Sequence, residues 1–256
     1  MWSLSEWRRR RILKRSRIPE HLWRDAFARF AVLRTLCEVD RGRLRDLAVL
    51  FLHEKAIEGT HGLPVTDEMR VAIALQACLP ILNLGLDWYE GWVSIILYPA
   101  GFVTGHEYTD GAGVVHKARH ALSGESWLRG PVILSWADVA PANMHAGHNV
   151  AIHEFAHKLD MLDGAANGLP PLHSSMSVKT WAETFSRAYA DLQQRIERGE
   201  ETTIDPYGAK EPGEFFAVLS ELFFEQPSVI EHTYPAVYRQ LCEFYRQDPA
   251  ARQNLS

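Results

Sequence analysis

The 256 residues, 46% of them hydrophobic, are enough for a packed core and exclude the disordered classes. The net charge of −5 is unevenly spread: seven of the 27 basic residues fall between Arg8 and Arg17, leaving 20 basic against 31 acidic residues from Ile18 onward, a net of −11. An acidic body of this kind argues against direct nucleic-acid binding, and apolar stretches that are short or broken by Pro, Gln, Asn and Gly argue against a membrane-spanning helix.

Residues 1–17 are expected as a basic, solvated tail, able at most to touch anionic lipid or nucleic acid. They lack the apolar h-region and cleavage site of a secretory signal, which favours the cytoplasm. Residues 18–256 are expected as one domain, with a helical scaffold over 18–90 and a sheet and active-site region over 91–256. In the scaffold, Pro19 and Glu20 open a helix whose apolar face carries Leu22, Trp23, Phe27, Phe30 and Leu33 to Leu36. A second helix, capped by Asp40, runs to about Ala56. After a turn at Gly59 to Pro64, Thr66 and Asp67 cap a third helix that ends at Cys78 before Pro80. Cys37, Cys78 and Cys242 lie far apart and read as buried, reduced thiols, not as a disulfide framework or a thiolate metal site.

Trp92 to Tyr98, β-branched and aromatic, predicts a strand ended by Pro99 and Gly101. Phe102 to Tyr108 and Val114 to Ala121 predict a hairpin around Asp110-Gly111-Ala112-Gly113, and Val132 to Trp136 another strand. A small, mostly antiparallel sheet is therefore expected before a helix capped by Asn149 and reaching about Leu162. An edge strand there could bind an extended peptide. His145 and His148 read as loop or pocket-lining residues. Thr180 to Glu183 resembles a capping box for a helix to about Glu197. Pro212 opens an apolar helix to Glu225, on which Glu214, Glu221 and Glu225 share a face, and a last helix spans Pro235 to Phe244.

The Asn149 helix carries the chemistry. His153-Glu154-Phe155-Ala156-His157 is an H-E-x-x-H pattern, and on a helix the i and i+4 imidazoles lie about 6 Å apart along the axis and about 40° apart around it, so both can reach one zinc ion. Glu154 is displaced around the helix and can take a proton from a water that zinc has acidified to a pKa of about 7. A catalytic zinc needs a third protein ligand, and two are available. The spacing H-E-x-x-H-x-x-D-x-x-D nominates Asp163, as in short-spaced zincins, but Asp160 stands where those proteins have a turning glycine, and on an unbroken helix Asp163 points about 240° away from His157. The alternative is Glu214, a carboxylate in a largely apolar helix that needs a buried partner. Asp160 and Glu221 are candidates to accept the second ring N–H of the histidines.

Leu122-Ser123-Gly124-Glu125-Ser126-Trp127, Gly130 to Val139, Gly147 to Gly164 and Glu214 to Phe224 together resemble the Mlc titration factor A family of bacterial zinc peptidases, loosely before Trp92 and closely after it. The resemblance implies an α+β, mainly helical zincin-like fold and a cytoplasmic, zinc-dependent peptidase of aminopeptidase type that also binds the glucose-responsive repressor Mlc. It implies a metal site like that of the anthrax lethal factor peptidase domain, with His153, His157 and Glu214 as ligands of one zinc, Glu154 as base, and Tyr207 placed to hydrogen-bond the oxyanion. The rival expectation is a regulatory protein with a structural zinc that sequesters a transcription factor.

Overall fold

The computed structural model describes residues 4–99, 107–109, 115–117, 130–140 and 147–253. Helix α1 (Leu4–Arg15) occupies the stretch expected as a solvated tail. Ile12 and Leu13, set among the arginines, lie partly buried against the core, and this burial ties the basic helix to the body. The first scaffold helix is broken into α2 (Glu20–Arg29) and α3 (Ala31–Arg34), because Phe30 between them is extended. Helix α4 (Glu38–Glu54) follows and packs against α1. Its N-cap is Cys37, not Asp40, and that thiol is exposed, whereas Cys78 is buried and Cys242 half-buried.

Strand β1 (Ala56–Gly59) leads to α5 (Asp67–Cys78), where Thr66 accepts a hydrogen bond from the Met69 N–H. Every side chain of α5 from Val71 to Cys78 is buried, so this helix forms the centre of the molecule. Strand β2 (Ser94–Tyr98) alternates buried Ile95 and Leu97 with half-buried neighbours. The expected hairpin is present as a two-stranded antiparallel ribbon, β3 (Glu107–Thr109) and β4 (Val115–Lys117); its turn, His145 and the segment from Leu122 to Trp127 lie outside the described residues.

Strand β5 (Val132–Ser135) completes a three-stranded sheet of order β1-β2-β5, and both pairings are parallel, with Ile57 beside Ile95 and Leu97 beside Leu134. The expectation of a mostly antiparallel sheet is corrected here: among the described residues the antiparallel pairing is confined to the separate ribbon. Parallel neighbours need a crossover, which α5 supplies between β1 and β2. Strand β1, with one buried residue in four, carries no periodicity from which it could be read.

The short helix α6 (Trp136–Val139) is followed by α7 (Val150–Asp160) and a 3₁₀ turn at Met161–Asp163. Helix α8 (Val178–Glu197) is capped by Ser177, whose hydroxyl accepts from the Thr180 N–H, so Thr180 lies inside the helix and does not cap it. A 3₁₀ turn at Pro206–Ala209 precedes α9 (Pro212–Glu225), on which every residue from Gly213 to Phe224 is buried. Helices α10 (Pro227–Thr233), α11 (Pro235–Tyr245) and α12 (Pro249–Gln253) close the chain. Helix α7 is held between α9, α5 and β5. Among the described residues no helix is long and apolar enough to cross a membrane.

Candidate metal centre

Helix α7 is started by Asn149, whose side-chain oxygen accepts from the Ile152 N–H at 3.0 Å. Its back is anchored by Phe155, with ring centroids 5.8 Å from Phe51, 5.4 Å from Tyr89 and 5.8 Å from Trp92. Residue 153 lies about 200° around the helix from residue 155, so burying Phe155 in this aromatic nest turns His153 toward α9. There the His153 and His157 rings stand with centroids 4.8 Å apart and their Nε2 atoms 3.2 Å apart. Glu214, in the first turn of α9, brings Oε2 to 3.1 Å from His153 Nε2 and 3.5 Å from His157 Nε2.

Two glycines set the position of Glu214. Gly168, at φ +77, lies so close to Pro212 that a Cβ there would stand 2.6 Å from its carbonyl oxygen, and a Cβ on Gly213 would stand 2.8 Å from the Ala166 carbonyl oxygen. The loop leaving α7 is thus pressed backbone to backbone against the start of α9. Asp160 secures that loop by accepting the Gly168 N–H at 2.8 Å, and Trp181 donates its indole N–H to the Gly168 carbonyl.

The second ring nitrogen of His153, Nδ1, donates to Glu221 at 2.6 Å, and the other oxygen of Glu221 accepts the Asn149 N–H at 2.7 Å. With Nδ1 committed as donor, Nε2 of His153 presents a lone pair toward a carboxylate and a second imidazole. His153 Nε2, His157 Nε2 and Glu214 Oε2 converge on one point, and such an arrangement needs a cation or a proton between them. Burial alone would lower the pKa of His153, but Glu221, Glu214 and Glu154 outweigh it and raise it well above the ordinary value. Burial would push the Glu214 carboxyl up, but hydrogen bonds and charges from His153 and His157 hold it well below the usual carboxylate range. A metal ion satisfies the same three atoms at once. Around a tetrahedral zinc with bonds of 2.0–2.1 Å, ligand atoms stand about 3.3 Å apart, and the separations here are 3.1, 3.2 and 3.5 Å. The side chains are 7%, 12% and 8% exposed, so the group is also dry enough to hold an ion.

Comparison with known proteins agrees with this geometry. The family model of the glucose-regulated metallo-peptidase M90 matches residues 4–246. The chain belongs to the M90 metallo-peptidase family. Its relatives include proteins named Mlc titration factor A from Salmonella arizonae, 42% identical over 236 residues covering 90% of this chain and 92% of the relative, and from Klebsiella pneumoniae, 38% identical over 233 residues covering 90% and 88%. The Yersinia enterocolitica protein of the same name is 38% identical over 233 residues, covering 90% and 86%.

In this M90 chain the remaining predicted site residues fall on both sides of the three-residue group. Glu154 is half-buried, and its charge reaches His153, Lys158 and Tyr207. The Tyr207 ring centroid is 6.2 Å from that of His153, with the Lys210 ammonium 3.9 Å above the phenol ring. Its hydroxyl reaches Glu214, and burial followed by the charges of Glu214 and Glu154 pushes its pKa up. Asp163 is exposed in the 3₁₀ turn and outside the group. Asp160 is fully buried; it accepts the Gly168 N–H, is reached by the Leu169 N–H as well, and meets His157 through charge. His148 is exposed, 3.9 Å from Asp205, on the rim of a cavity of about 340 Å³ that Glu221 also borders.

Sequence reading overlooked Asn149 beyond its cap: its amide Nδ2 donates to Glu225 at 2.8 Å, so one residue ties Glu221, Glu225 and the start of α7 together. It also overlooked Lys158, a buried cation whose Nζ donates to the Gly130 carbonyl and lies 5.5 Å from the Trp92 ring centroid. An ionisable residue inside an apolar helical stretch was the available signal.

Proposed function

We propose that this M90 chain is a zinc-dependent peptidase of the aminopeptidase type, holding one zinc on His153, His157 and Glu214. The observation that carries it is the convergence at zinc-like spacing of three buried side-chain atoms, two of them from the helix that also bears Glu154. When bound, zinc supplies Lewis acidity, lowering the pKa of a water to about 7 and polarising a peptide carbonyl. Glu154 then accepts the proton of the attacking water and passes it to the leaving amine. Tyr207, whose raised pKa keeps the phenol protonated at neutral pH, donates a hydrogen bond to the developing oxyanion. Glu221 fixes the His153 ring through Nδ1, and Asp160 supports His157 electrostatically and ties down the loop that positions Glu214.

A second role rests on the relatives' name: binding of the repressor Mlc or a similar transcription factor, which would put the protein to work in the cytoplasm. The two roles are compatible in one molecule. The deciding experiment measures metal content and turnover of short peptides by the purified protein, with and without a chelator and with zinc added back. Chelator-sensitive turnover restored by zinc is expected; metal-free protein that cleaves at full rate would sink the peptidase reading. Titration with purified Mlc tests the second role separately.

A further inference from the structure

A cavity of about 600 Å³ lies between α1 and α4, well away in sequence from every residue of the metal centre. Its rim is basic: Arg8, Arg11 and Arg15 come from successive turns of α1, Arg17 follows them, and among the described residues no acidic one lines it. All four are exposed, and among the described residues none of the four is in an ion pair, whereas Arg9, off the rim, pairs with Asp87. Arginines at i, i+3 and i+7 repel along a helix and destabilise it, so α1 bears a cost that an anionic ligand would relieve. The floor is different. Ile12, Val49 and Leu52 make it apolar, and Trp7, 57% exposed with the Arg11 guanidinium 5.3 Å from its ring centroid, stands at the edge.

We propose that this groove is a docking site for an acidic peptide segment of a protein partner, with an aliphatic side chain of that segment seated on the apolar floor. Charge complementarity selects the sign: four uncompensated guanidinium groups, able to take carboxylates in bidentate pairs, face outward from a molecule whose remainder is acidic. Shape selects the class. A nucleic-acid duplex offers phosphates but no apolar anchor, and a bilayer keeps its hydrocarbon beneath the headgroups, while a peptide offers carboxylates and an apolar side chain together.

The test uses the whole 256-residue chain and a fluorescein-labelled, end-blocked, glutamate-rich peptide with one central leucine, read by fluorescence anisotropy. The peptide should bind, more weakly as salt is added, and the triple variant Arg8→Glu/Arg11→Glu/Arg15→Glu should bind at least about tenfold more weakly, since three favourable ion pairs become repulsions. Replacing the peptide's leucine by glycine should weaken binding at unchanged charge. Metal content and thermal midpoint of the triple variant, whose changed side chains are exposed, serve as folding controls. Equal affinity of parent and triple variant overturns the proposal, as does no detectable binding. Tighter binding of phosphatidylglycerol vesicles or duplex DNA than of the peptide also overturns it, and so does parent self-association that the triple variant loses, which would make a second copy the occupant.

Discussion

Glu154 offers no atom to the three-residue group, so its chemistry can be removed without removing a ligand. Glu154→Gln keeps size and helix propensity and should retain metal while losing at least about 10²-fold in turnover, the low end for general-base catalysis. A Gln variant as fast as the parent would leave only the binding role. Tyr207→Phe should lose a comparable factor, mostly in kcat, because the hydrogen bond to an oxyanion exists mainly in the transition state. His153→Ala, His157→Ala or Glu214→Ala should each lower metal content, whereas Asp163→Ala should not. Metal loss in the Asp163 variant with full metal in the Glu214 variant would restore the short-spaced alternative. Glu221→Gln, which weakens the acceptor for the His153 N–H, should lower zinc affinity about 10 to 100-fold, as such supporting groups usually do.

At the scale of elements, the candidate metal centre depends on how α7 and α9 are held against each other. Gly168 is in a left-handed conformation with the Pro212 carbonyl where a side chain would go, so Gly168→Ala must both strain the backbone and push α9 away. The expected cost is on the order of 1–3 kcal/mol. Because Glu214 sits two residues past Pro212, metal affinity should fall with stability; calorimetry and zinc titration on the same variant check both. Asn149→Ala should cost about 1 kcal/mol through the lost cap, and more because Glu225, whose carboxyl burial already pushes up, loses the donor that opposes that shift. A melt unchanged by Asn149→Ala would exclude this link. These elements were legible where periodicity or caps were strong: α5, α7 and α9 follow from unbroken apolar faces flanked by Thr66, Asn149 and Pro212. Strand direction was not legible, since β2 and β5 have the same alternation whether their neighbours run parallel or antiparallel.

For the molecule as a whole, burial raises the Asp160 carboxyl to about 7 in the metal-free protein, from an ordinary value of 3.8. Between those two values the folded chain holds more protons at this site than the unfolded chain, so its contribution to stability falls as pH rises from about 4 to about 7. The total is at most about 4 kcal/mol, from roughly three pKa shifts of 1.36 kcal/mol each. Asp160→Asn cannot titrate, so metal-free melts across that window should show parent stability declining relative to the variant; parallel curves would remove the assignment. Deleting residues 1–17 should lower the thermal midpoint, since α1 buries part of Ile12 and Leu13, yet should leave metal content intact because no residue of the group lies there. An unchanged midpoint would mean that α1 adds nothing to the core.

What the sequence determined by itself was local: that the segments of α5, α7 and α9 are helical, and that His153, Glu154 and His157 share one helix at metal-binding spacing. Those properties are set within one or two turns of backbone, where residue order and geometry are nearly the same thing. The placing of Glu214, and not Asp163, beside the two histidines was not of that kind. It depends on a helix 60 residues further along being pressed against α7 by two glycines, on Asp160 tying the loop to α7, and on α7 ending so that Asp163 faces solvent. The same holds for α1, whose arginines suggest a free tail and whose two aliphatic residues matter only because α4 lies beneath them. Long-range packing brings such groups together, and no spacing along the chain encodes it, because each contact exists only when both surfaces are already folded.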